Sequence, residues 1–200
     1  VELERAAGAA DEVAELQAEV DALTDAQTDP APVPDPEVDL IALAAGRVAV
    51  TGPGLTVRLT DAAPNAPRPD WVTNDDLVVH QQDLQAVINA LWTGGAEAMT
   101  LQDQRVVATS AFRCVGNVLL LHGRHYSPPY VVRAVGDPEE LRAALLGTAA
   151  VQTYLDWAEV VGLGWDVTEE EVLELPASDA SLDLAYARVP DGVEVPGAGS

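Results

Sequence analysis

Four prolines within the stretch TDPAPVPDP, residues 28–36, divide this 200-residue chain before any other pattern can be read. Proline lacks the N–H donor and holds φ near −65°, so a helix cannot run through this stretch and an extended linker is expected. Upstream, residues 1–26 read as one helix. Val13, Leu16, Val20 and Leu23 recur three and four apart, and Ala6 and Ala9 carry the seam backwards. This is the a/d spacing of a short coiled coil. The other faces carry Glu4, Asp11, Glu12, Glu15, Glu19 and Asp21, opposed only by Arg5. So short and acidic a helix is marginal alone. Its seam is expected to meet a second copy, as a homodimer, or a hetero-coiled-coil partner, or else to fold back on its own domain. The expected organisation is a heptad helix and linker over 1–35, a globular domain over 36–176, and a loosely ordered acidic tail over 177–200.

Downstream, Asp35 and Pro36 have the form of an N-cap and first helical residue, with a short helix over 37–45 stopped at Gly46. Residues 48–60 read as strand, broken by a turn at Gly52-Pro53-Gly54, with Leu55, Val57 and Leu59 alternating against Thr56, Arg58 and Thr60. Leu84, Val87, Ile88 and Leu91 form the apolar stripe of an amphipathic helix over 83–92, which Gly94-Gly95 ends. Two strands, 98–102 and 105–109, have hairpin spacing about Asp103-Gln104. Further strands are expected at 118–121 and 130–135. Asp137-Pro138-Glu139-Glu140 is a helix start with cap, proline and capping acid in place. That helix breaks at Gly147, resumes over 148–161, and is followed by a strand over 172–175. The fold class is therefore α+β. The order β, α, β, β, more β, α, β approaches the split βαββαβ, or ferredoxin-like α-β plait, with extra strand material.

The charge limits the partners. Thirty-three acids against ten basic residues, all arginine, give −23. That field repels nucleic acid and anionic headgroups, so no nucleic acid is expected. A soluble acidic surface accounts for most of it. Cys114 is the only cysteine, which excludes an intramolecular disulfide and a Cys-rich zinc site; its apolar neighbours suggest an inert, buried thiol. No apolar run reaches membrane-spanning length and no signal peptide is visible. The chain opens on Val1 inside a helical pattern, as a fragment of a longer protein would.

No reactive constellation stands out. The glycines lack the contexts that cradle phosphates. Ser110 has no nucleophile elbow around it and reads as a turn former. His122 and His125 have the spacing of a metal pair on a helix but flank a strand–turn boundary with Arg124 between them, so no metal is expected. In a chain so poor in cations, Arg105 and Arg113 beside Glu97 are more distinctive. They either pin strands as ion pairs or, with Asn89 and Ser110, line a pocket for an anion or peptide carboxylate. Trp71 and Trp165 sit in loop-like context, where an exposed ring would mark a docking spot; Trp92 and Trp157 belong to helices. No enzyme activity and no cofactor are expected.

Several motifs carry a resemblance. They are Asn89-Ala90-Leu91-Trp92, Gly95-Ala96-Glu97-Ala98, Gln104-Arg105, Ala108-Thr109-Ser110, Arg113-Cys114, Ser127-Pro128-Pro129-Tyr130 and Ala134-Val135-Gly136-Asp137-Pro138, with Thr51-Gly52-Pro53-Gly54 upstream. In this order they resemble the bacterial family known as domain of unknown function 881, the YlxW/YlxX-like proteins. The resemblance implies an N-terminal membrane helix upstream of Val1, then a coiled coil, then an α-β plait on the extracytoplasmic face of the cell membrane. It implies a non-catalytic interaction or scaffold module associated with cell-envelope or division proteins, and no established catalytic residues. A domain that binds a small ligand or a cell-wall peptide at Asn89, Glu97, Arg105, Ser110 and Arg113 is the alternative.

Overall fold

In a computed structural model the described residues are 36–63, 65, 68–116, 118–178 and 186–190. The expected heptad helix, its seam and the Asp35 cap lie outside them. The chain divides into two units, 1–39 with 196–200, and 40–195. The sheets and the core belong to the second.

The described elements are α1 (Pro36–Ala44), β1 (Val50–Thr60), a 3-10 turn (Asp75–Leu77), α2 (Gln81–Thr93), β2 (Ala98–Leu101), β3 (Gln104–Val106), β4 (Phe112–Val115), β5 (Val118–Leu121), β6 (Arg124–Tyr126), β7 (Tyr130–Val135), α3 (Pro138–Gly147), α4 (Ala149–Val161) and β8 (Gly164–Leu175). This is a mixed α+β body with two antiparallel sheets. The larger has the strand order β3-β2-β7-β1-β8, and the smaller β4-β5-β6.

One face of the large sheet builds the core. Leu55, Val57 and Leu59 of β1 are fully buried there with Met99 and Leu101 of β2 and Tyr130, Val132 and Ala134 of β7. The α2 stripe read from the sequence meets them: Leu84, Val87, Ile88 and Leu91 are all at most 3% exposed. Leu141 and Leu145 of α3 and Val151, Tyr154 and Val161 of α4 complete the layer. Asp137 caps α3 as expected, its Oδ1 accepting from the Glu139 and Glu140 amides. On the opposite face, ladder pairing sets Thr168, Thr56, Arg133, Thr100 and Arg105 in one rung across all five strands.

Several boundaries differ from expectation. β1 is not broken at Gly52-Pro53-Gly54; it runs through, absorbing those residues as a register shift against β8. A bulge of this kind admits an extra residue without ending the strand. Gly54 is required there because a Cβ would overlap the Ala134 carbonyl oxygen. The hairpin turns at Gln102-Asp103, one residue early, with Gln102 at φ 57°. β8 is twelve residues long rather than four, and among the described residues it pairs only with β1. Its many acids mask its alternation in the sequence. β4 and β6 have no counterpart in the sequence expectation.

Candidate functional site

A cavity of about 560 Å³ lies where the 3-10 turn and the start of α2 meet α4. Local chemistry builds its first wall. Asp76 Oδ2 accepts from both the amide and the hydroxyl of Thr73, each at 2.7 Å, which closes the turn. These bonds from Thr73 hold the Asp76 carboxyl below its ordinary range. Asp61 Oδ1 accepts the Val79 amide at 2.8 Å and fastens the far side of the turn to the end of β1. Asp83 Oδ2 then accepts the His80 amide at 2.8 Å, the capping acid of α2. Burial pushes the Asp83 carboxyl up, while the His80 amide and ring draw it back.

The second wall is α4. Tyr154 and Trp157, three residues apart, share one helical face, and both line the cavity with Ala86, Ala150, Thr153 and Leu163. Each ring is held by another: Trp157 by Trp71 (centroids 5.6 Å apart, tilted 47°) and Tyr154 by Trp165 (5.7 Å, 51°). Trp71 is exposed, whereas Trp165 is a strand residue packed on the core rather than a loop residue.

The hydroxyl, indole and imidazole donors of this cleft are already used. Tyr154 Oη donates to the Gly164 carbonyl at 2.9 Å, and Trp157 Nε1 to the Asp76 carbonyl at 3.3 Å. Thr153 Oγ1 donates to Ala149 O (3.0 Å), and His80 Nε2 to Asp75 O (3.0 Å). Burial drives the Tyr154 phenol far above its ordinary range. What the cleft adds to these donors is acceptor capacity and aromatic surface: the carboxyl groups of Asp75, Asp76 and Asp83, of which Asp75 Oδ2 lies 3.8 Å from His80 Nε2, line it together with the Tyr154 and Trp157 rings. Sequence reasoning alone does not find it. The i, i+3 aromatic pair on α4 is legible, but nothing local says that residues 71–80 fold against a helix some seventy positions later.

The five residues singled out in the sequence are not gathered into one pocket. Glu97 and Arg105 do share a smaller cavity of about 270 Å³ with Trp92, Gly46 and Val106. Arg105, however, is only 4% exposed, and its Nη1 donates to the carbonyls of Val48 (3.2 Å) and Pro176 (3.1 Å). Burial lowers its pKa. These bonds reach backbone oxygens, so the arginine pins the structure through carbonyls rather than through the ion pair of the first reading. Ser110 Oγ accepts the Val107 amide at 2.9 Å and leans on the Arg105 carbonyl at 3.4 Å, closing the turn after β3. Arg113 lies on the small sheet and lines a different hollow with Phe112, Leu120 and His122. Asn89 is on the outer side of α2, where its Oδ1 accepts from Gln85 Nε2 at 3.0 Å. His122 Nδ1 donates to Gln104 Oε1 at 3.3 Å, while His125 is exposed on β6. Among the described residues no cluster of three or more His, Cys, Asp or Glu side chains could hold a metal ion. None of their helices is long and apolar enough to cross a membrane.

Residues 37–188 match the family model described as bacterial protein of unknown function (DUF881). The chain belongs to this family. All three cavities fall inside the matched span. Among the family's relatives, the chain is 32% identical over 155 residues to UPF0749 protein Rv1823 of Mycobacterium tuberculosis (strain ATCC 25618 / H37Rv), covering 76% of this chain and 50% of that protein. It is 33% identical over 100 residues to UPF0749 protein YlxW of Bacillus subtilis (strain 168), covering 50% and 42%. The chain thus spans about half the length of the curated relatives it matches. The fold is similar to the crystal structure of an uncharacterized conserved protein from Mycobacterium tuberculosis, with a TM-score of 0.59 at 25% identity, over 77% of this chain and 99% of that one.

Proposed function

We propose that this DUF881 protein is a non-catalytic interaction module, serving as a scaffold in cell-envelope or division assemblies at the extracytoplasmic face of the membrane. The observation that carries the reading is the state of the α2–α4 cleft. Its hydroxyl, indole and imidazole donors are committed to backbone carbonyls, and its rings are braced by other rings. A hydroxyl nucleophile needs a general base within hydrogen-bond reach, whereas the Thr153 and Tyr154 hydroxyls donate to backbone carbonyls. A preorganised wall of acceptors and aromatic faces suits recognition instead.

The body is read as an α-β plait. Strands β2-β7-β1-β8, with helical crossovers after β1 and β7, follow the order of the split βαββαβ, and β3 to β6 form an insertion. Membrane tethering and location rest on the family resemblance; pairing rests on the seam Val13, Leu16, Val20 and Leu23. The test is a photo-crosslinking residue placed at Gln82 or Ala150 of the intact protein in its host. A discrete adduct from either position is expected, and none from both overturns the reading. Sedimentation with and without the residues before Pro30 tests pairing; a monomer in both cases at tens of micromolar removes it.

A further inference from the structure

We infer that the α2–α4 cleft takes a cationic side chain, an arginine or lysine presented by a basic peptide segment of a partner protein. This rests on reading the cleft as a recognition surface and adds the chemistry of its occupant. Guanidinium and ammonium groups are donors only, with no acceptor to satisfy. The cleft is complementary to that: its indole, phenol, threonine and histidine donors are spent internally, whereas Asp75, Asp76 and Asp83 line it with carboxyl groups.

Charge points the same way. Among the described residues no arginine lines the cavity. Arg68, from the neighbouring loop, is held by Asn74 Oδ1 at 3.0 Å. An anion would meet three carboxylates with no counter-charge built in beyond His80. The aromatic walls add a second, independent preference. Trp157 and Tyr154 are the ring types that attract a cation over their faces. A cavity of about 560 Å³ is ample for one long basic side chain with part of its backbone. Small residues, Ala86 and Ala150, keep it open.

A chain of charge −23 attracts any polycation, so the experiment must separate cleft binding from diffuse attraction. The probe is an acetylated, amidated hexapeptide of alternating arginine and glycine, titrated by tryptophan fluorescence and calorimetry at about 0.15 M salt. Ala150→Trp fills the mouth of the cleft from an exposed position without changing charge. Glu169→Gln with Glu171→Gln removes two charges from β8, outside the cavity lining. The expected result is at least tenfold weaker binding with Ala150→Trp, severalfold weaker binding with Asp75→Asn, and little change with the β8 pair. Binding that survives Ala150→Trp and falls with the β8 pair overturns the proposal, as does no binding by the unaltered protein. If crosslinks form at Gln82 or Ala150 while the peptide fails, the recognition surface stands and only its cationic occupant falls. Circular dichroism and thermal unfolding of each variant confirm that the fold is retained.

Discussion

Arg105 donates to the carbonyl of Pro176 at 3.1 Å across 71 positions of sequence, joining the β2–β3 edge hairpin to the chain leaving β8. The same Nη1 reaches the Val48 carbonyl just before β1. One guanidinium therefore ties the hairpin at one border of the sheet to the segments beside the two strands at its other border. Replacing it leaves two carbonyls without that donor and a hollow in the packing. Arg105→Ala is expected to cost more than about 3 kcal/mol, from two charge-assisted bonds of about 1.5–3 kcal/mol each and the packing loss. Arg105→Lys recovers only part, since a flexible ammonium lacks the fixed fork. Urea unfolding followed by circular dichroism checks both, and the alanine variant unfolding at the wild-type midpoint would refute the structural role.

Two glycines are expected to respond in opposite senses. At Gly54 an alanine Cβ would run into the Ala134 carbonyl, a backbone atom that cannot swing aside. Gly54→Ala should therefore destabilise by more than about 3 kcal/mol. Gly147 ends α3 with open space where an added methyl would sit and no left-handed φ. Gly147→Ala should stabilise by about 0.4–1 kcal/mol through the restricted unfolded chain and better helix propensity. Thermal midpoints moving in the same direction would contradict this account.

Alkaline stability follows from two buried phenols. Burial first, then the nearby Asp61 and Cys114, pushes Tyr130 up to about 12. Burial raises Tyr154 further. An unfolded tyrosine loses its proton near 10, so between roughly pH 10 and 12 the folded state holds more protons than the unfolded one. Stability must then fall as pH rises through that window, by about 2–3 kcal/mol for Tyr130 alone at 1.36 kcal/mol per unit. The phenolate absorbance of these two residues should appear together with unfolding. Their ionisation in a chain whose circular dichroism is unchanged would contradict the assignment.

Asp103 clasps an outer strand of the small sheet, whose Leu119 and Leu121 are buried in the core. Its Oδ1 accepts from Tyr126 Oη at 2.6 Å and its Oδ2 from Arg124 Nη1 at 3.5 Å, clasping the β2–β3 turn to β6. The tyrosine bond, aided by Arg124, holds the Asp103 carboxyl below its ordinary range. Its contribution is present above the unfolded carboxylate pKa and disappears as pH falls through the folded one. The groups are exposed, so global stability should move by under about 1 kcal/mol. Tyr126→Phe should instead speed amide exchange severalfold in β5 and β6 with the rest of the protein unchanged. Uniform exchange across the chain would remove the clasp.

What can be read in advance is whatever local periodicity records. The α2 stripe, the Asp137 cap and the β7 run are legible because burial on one face imposes a 3.6- or 2-residue repeat regardless of topology. Only a third of β8 is legible, because Asp166, Glu169, Glu170, Glu171 and Glu174 line a strand whose outer edge pairs with no described residue, and such strands do not need apolar alternation. Arg105 and Ser110 stand out in the sequence with good reason. Their partners, the Val48 and Pro176 carbonyls and the Val107 amide, are backbone atoms that no composition encodes. The α2–α4 cleft depends on a long-range approach of the 3-10 turn to α4, so its parts are visible in the sequence and their meeting is not.

The acidic border of β8 has a bearing on crowding. Two such borders brought side by side would set rows of glutamate against one another at about 4.8 Å, the spacing of neighbouring strands. Like charges at that range oppose sheet-to-sheet growth. This border is therefore a poor site for copies to join, leaving association to whatever surfaces are shaped for it.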